Sequence, residues 1–137
     1  MKKVQLTLIV LLALIISTAT AQTASKLGKT KLTAKDSMMC GKQWKVVSVE
    51  EWAVVNKPDE RTKNDMLFLN ADGTFNLILF GNKKAGTWTK MGQYIYFTDS
   101  ASGEKFNYKL LVVENNRLRF DFRDPDETHS FYEMESK

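Results

Sequence analysis

The chain holds one histidine, His129, and one cysteine, Cys40. A metal site needs several His, Cys or carboxylate ligands at matched spacing, and nucleophilic catalysis needs a base beside the nucleophile. Neither set can be assembled around His129, which reads as a surface or rim residue. Cys40 has no partner for an internal disulfide and no resolving thiol for a redox cycle. It reads as a half-buried small apolar residue where the chain enters its domain. Carboxylates gather at Asp59-Glu60 and at Asp124, Asp126 and Glu127 around Pro125. A catalytic carboxylate needs a desolvated site, whereas these sit in polar turn sequences. Turn formation and solubility account for them; weak calcium binding at Asp124 to Glu127 is the alternative. No glycine-rich phosphate loop occurs. These residues point away from an enzyme, with no cofactor and no metal, and toward a binding role.

The N-terminus reads as an address. Met1-Lys2-Lys3 is a positive start, Leu6 to Ile16 an apolar run, and Ala19-Thr20-Ala21 a small-residue cleavage site before Gln22. That is the secretory pattern. The apolar run is short for a span, which needs about 20 residues. The expectation is an exported protein, periplasmic or secreted, with no stable membrane span after cleavage; an uncleaved anchor is the alternative. Cys40 lies too far from the apolar run to mark a lipidation junction. The net charge is +4. Loss of Lys2 and Lys3 lowers it to about +2, too small an excess to imply a nucleic-acid partner. The remaining excess sits in Lys26, Lys29, Lys31 and Lys35, and every aromatic residue lies between Trp44 and Tyr132. The chain therefore divides into a signal peptide (1–21), a flexible basic leader (22–37) and one domain (38–137).

The elements of that domain are strands. From Asp72 to Asp99 three short antiparallel strands follow one another. Asp72-Gly73 is a turn pair, and Phe75, Leu77 and Leu79 recur with period two. Gly81 to Lys84 turns the chain, and a strand from Ala85 to about Lys90 carries Trp88. Met91-Gly92-Gln93 turns again into Tyr94 to Thr98, with Ile95 and Phe97 assigned inward and Tyr94 and Tyr96 outward. A one-residue slip would reverse that assignment. Upstream, Thr33 to Met39 makes one helical turn capped by Thr33 or Asp36. Lys45 to Glu50 is a strand that runs on toward Val55, Asn56 to Asp65 is a charged loop, and Met66 to Leu69 is a short strand. Downstream, Lys105 to Val113 is the longest strand. Arg117 to Arg123 alternates Leu118, Phe120 and Phe122 against charged residues, and Ser130 to Met134 is the last strand. About eight strands joined by short turns predict an all-β, antiparallel up-and-down meander barrel, with a sandwich as runner-up.

Gly41-x-x-Trp44, Asn70-x-Asp72-Gly73-Thr74-Phe75, Gly86-Thr87-Trp88 and Tyr94-Ile95-Tyr96-Phe97-Thr98 resemble the lipocalin-like domains of small exported bacterial proteins. The resemblance covers roughly residues 38 to 134. It implies a calycin-type eight-stranded barrel, open at one end and plugged at the other by a helical turn. In such barrels a tryptophan of the first strand closes the floor and stacks on an arginine. The resemblance gives Trp44 that place, with Arg117 or Arg119 as partner, a cation–π contact of about 0.5–2 kcal/mol. The spacing here is Gly-x-x-Trp, and the last strand carries no arginine.

Two binding roles follow. The first is a carrier for a small hydrophobic molecule, lined by Phe75, Leu77, Trp88, Phe97, Phe106, Tyr108, Phe120 and Phe122. So many large rings on short strands fill much of an eight-stranded barrel, which leaves a small cavity at the open end for a slender ligand. The second is a protein-binding module, such as a protease inhibitor, with a filled barrel. It would make contact through the Asn56 to Asp65 loop, Trp52 nearby, and the face of Tyr94 and Tyr96.

Overall fold

The computed structural model describes residues 32–123 and 128–137. The stretch read as a signal peptide, most of that read as a basic leader, and the acidic residues Asp124 to Glu127, with their calcium alternative, lie outside the described residues. One helical turn, α1 (Ala34–Ser37), precedes nine strands: β1 (Gln43–Glu51), β2 (Val54–Asn56), β3 (Met66–Leu69), β4 (Thr74–Leu79), β5 (Asn82–Met91), β6 (Tyr94–Asp99), β7 (Lys105–Val113), β8 (Arg117–Arg123) and β9 (His129–Glu135).

Sequential strands from β3 to β9 pair antiparallel, β1 pairs with β3, and β9 returns to β1. The result is the closed eight-stranded up-and-down barrel that the alternation predicts. Closure leaves these eight strands with continuous pairing around the ring. β1 is shared along its length. Gln43 to Lys45 pair with β3, whereas Val49 to Glu51 pair with β2. The expected run of β1 on toward Val55 is broken. Trp52 and Ala53 both adopt left-handed backbone, φ 52° and 61°, and reverse the chain into a two-residue hairpin. β5 likewise starts earlier than expected, at Asn82. Phe80 and Gly81, φ 50° and 75°, already make the turn, and Leu79 faces Asn82 across it.

Alternation decides the core. On β6, Ile95 and Phe97 are buried, while Tyr94 and Tyr96 are exposed. On β8, Leu118 and Phe120 are buried. β1 contributes Trp44 and Val46, β3 Leu67 and Leu69, and β9 Tyr132 and Met134. The end of the barrel at α1 is closed. Thr33 caps α1 by accepting from the Asp36 N–H, and the Asp36 carboxylate accepts from the Thr33 N–H and hydroxyl, a reciprocal capping box. Met39 is fully buried, and Leu32 and Cys40 pack against the core, so the packed unit takes in residues from Leu32 onward.

Candidate functional site at the open mouth

The interior is a continuous column of rings. Phe75 meets Phe97 edge-on, with centroids 4.8 Å apart, and Phe97 stacks on Phe106 at 5.0 Å. Tyr108 stacks on Phe120 at 4.6 Å, and Phe120 on Tyr132 at 5.3 Å. These rings come from five strands and meet because each faces inward at its own register. Trp88 is also buried, and its indole N–H donates to the Asn70 carbonyl at 3.0 Å. The middle of the barrel is therefore occupied by its own side chains.

At the open end the filling stops. A cavity of about 180 Å³ is lined by Leu77, Leu79, Phe80, Asn82, Lys84, Tyr108, Phe122 and Tyr132. Three of the lining residues expected from the sequence, Leu77, Tyr108 and Phe122, are among them. Phe75, Trp88, Phe97 and Phe120 are committed to the ring column or the core beneath, while Phe106, half-buried at the end of the column, lines a separate open groove together with Phe122. Sequence reasoning missed Leu79, Phe80, Asn82, Lys84 and Tyr132. Tyr132 was detectable, since it shares the alternating face of Ser130 and Met134. Phe80 was not, because its position depends on the turn.

The rim is held by polar contacts. Asp65 is buried, and its carboxylate accepts from the Phe80 N–H at 2.9 Å and the Gly81 N–H at 3.5 Å. That fixes the left-handed turn and swings Phe80 to within 6.5 Å of Tyr132, edge to face. Lys84 pairs with Glu104 at 2.7 Å and lies 4.7 Å from the Phe106 ring centroid. The Ser130 hydroxyl donates to Glu51 at 2.8 Å, across the β1–β9 seam.

At the closed end, the arrangement of Trp44 corrects one expectation. Its indole N–H donates to the Met39 carbonyl at 2.9 Å, and the cation over its ring is Lys42, at 5.6 Å. Arg117 and Arg119 are not its partners. With Leu118 and Phe120 inward, period two turns both arginines outward. Arg117 pairs with Glu133, and Arg119 with Glu50 at 2.8 Å and Glu133 at 3.7 Å, lying over Phe131 at 5.4 Å.

The other chemistry-bearing residues are dispersed. His129 Nδ1 is 3.0 Å from the Asp121 carboxylate on the outer face. Both residues border an open groove of about 660 Å³ that also takes in Tyr94, Lys109 and Arg123. Cys40 is half-buried, with Sγ 3.8 Å from the Asp36 carbonyl. Burial, and the Asp36 charge after it, raise the thiol pKa above its ordinary value, which holds the group as an unreactive thiol. Among the described residues no group of three or more His, Cys, Asp or Glu could hold a metal, and no helix is long and apolar enough to cross a membrane.

The fold and site define a class: a closed, ring-filled β-barrel with a small apolar mouth. No protein-family model matches the chain, and no curated protein matches it significantly.

Proposed function

We propose that the protein is a non-enzymatic, exported carrier that binds a slender apolar molecule at the barrel mouth. One observation carries this reading: the 180 Å³ cavity walled by Leu77, Leu79, Phe80, Tyr108, Phe122 and Tyr132. An apolar cavity of about 150 Å³ suffices for a benzene-sized molecule, whereas pockets for drug-sized ligands run to about 300–1,000 Å³. The ligand is thus a single ring or a short chain, not a retinoid, haem or sterol. Asn82 and Lys84 at the edge favour a polar or anionic end directed outward. The test is native mass spectrometry of protein purified from its own host, followed by titration with hexanoate and toluene by NMR. Stoichiometric adducts, or saturable shifts at Leu77 and Leu79 that Leu79→Trp abolishes, support the reading. A clean apo mass and unmoved methyl signals would refute it.

A second reading, a protein-binding module such as a protease inhibitor, draws on a different observation. Trp52 is 81% exposed at the tip of the β1–β2 hairpin, next to the charged loop ending at Asp65. Retention of a captured protease after deletion of Lys57 to Lys63 would count against that version.

A further inference from the structure

β2 is the one strand that stands outside the ring. Among the described residues it pairs only with β1, through Val49 to Asn56, Glu50 to Val55 and Glu51 to Val54. All three of its residues are exposed, Val54 by 57% and Val55 by 63%. In a two-residue hairpin the residues flanking the turn, Glu51 and Val54, form the hydrogen-bonded closing pair. Antiparallel bonding alternates along the strand, so Val55 turns its N–H and C=O away from β1, toward the free edge. Edges in native proteins are usually protected by charge, by a bulge or by a covering element. From Trp52 to Asn56 this edge carries no charge, and nothing among the described residues covers it.

We propose that two copies of the chain associate through β2, antiparallel about a two-fold axis at Val55. The self-pairing is set by the bonding pattern. Only Val55 opposite Val55 matches free donor to free acceptor on both copies while keeping the three-residue strands fully overlapped. That register sets Val54 against Asn56 and Lys57 against Ala53 of the other copy. Like charges do not face each other, and Lys57, which makes no ion pair among the described residues, comes beside the other copy's indole at Trp52, 81% exposed. The chemistry is self-complementary, as a two-fold interface requires. β2 ends at Asn56 and each copy offers one such edge, so the pairing stops after one short ladder and closes as a dimer rather than growing into a sheet. Two indoles and four valines bury well under the roughly 1,200 Å² of a standard interface, which makes the dimer weak and concentration-dependent.

The experiment is sedimentation velocity on the protein as its host makes it, from about 10 µM to about 1 mM, a range suited to a weak interface. Tryptophan emission is read in parallel. Trp44 and Trp88 are buried, so Trp52 dominates any change in emission. The expected result is a monomer–dimer equilibrium with a blue shift that tracks dimer fraction. Val55→Lys places like charges on the axis and should weaken association at least about tenfold with the monomer fold intact by circular dichroism. Val55→Pro, which removes only an N–H that β1 does not use, should do the same. A monomer across the whole range would overturn the proposal, as would a dimer indifferent to both substitutions. So would a blue shift that appears with lipid vesicles but not with protein concentration.

Discussion

Asp36 and Lys90 meet beneath the closed end of the barrel, carboxylate oxygen to ammonium at 2.9 Å, with side chains 9% and 19% exposed. The pair ties the helical turn to β5, so the plug is joined to the wall by charge as well as by Leu32 and Met39. Burial of Asp36 opposes its ionisation, but the Lys90 hydrogen bond and the Thr33 hydroxyl and N–H outweigh it and lower the carboxyl below its ordinary 3.8. A carboxyl lowered on folding stabilises above its unfolded value and loses that contribution as pH falls through the folded one. Asp36→Ala should cost about 1–3 kcal/mol at neutral pH through loss of cap and pair. The deficit should shrink as pH falls below the ordinary 3.8, where the unfolded carboxyl takes up its proton first, and vanish only below the lowered folded value. Denaturant melts at pH 7 and pH 3 check both parts.

Phe120 lies between Tyr108 and Tyr132 in the ring column, stacked on both. Phe120→Ala should cost about 3–5 kcal/mol, because the flanking rings cannot collapse into the gap without leaving their own strands. Phe80→Ala, at a position 52% exposed, should cost far less while opening the mouth. Urea melts of the two variants would separate filling of the barrel from shaping of its rim.

Gly86 on β5 lies opposite Asp99 of β6. A Cβ there would lie 2.0 Å from the Thr98 carbonyl oxygen and 2.9 Å from the Ser100 nitrogen, both backbone. Gly86→Ala should therefore destabilise by about 3 kcal/mol or more, since the clash is relieved only by moving strands. A thermal melt within a few degrees of wild type would show that the two strands part more easily than this packing implies.

Ala53 carries left-handed backbone at φ 61° in the exposed turn after Trp52. A non-glycine residue pays about 1–2 kcal/mol for that conformation. Ala53→Gly should recover part of this, offset by the greater freedom of the unfolded chain, for a net gain of up to about 1 kcal/mol. A raised melting temperature with unchanged Trp52 emission is the expected outcome.

The barrel was legible in the sequence because strand alternation is local. Phe75 to Leu79, Ile95 to Phe97 and Leu118 to Phe122 each declare an inner face within a few residues, and turn pairs such as Asp72-Gly73 delimit them. The cap was legible as Thr33 or Asp36 for the same reason, since the two are three residues apart, and the structure makes Thr33 the cap with Asp36 as its reciprocal partner. What the tertiary structure alone decided depends on residues far apart in the chain. Whether inward rings leave a cavity or stack depends on how Phe97, Phe106, Tyr108, Phe120 and Tyr132 align across four strands, a matter of barrel stagger that no single strand encodes. The cation over Trp44 is Lys42 because β8 presents Arg117 and Arg119 to the outside, where Glu50 and Glu133 wait. The turn at Trp52 and Ala53 defied local reading. Neither residue prefers positive φ, and pairing of Val54 to Asn56 back onto β1 outweighs the local cost.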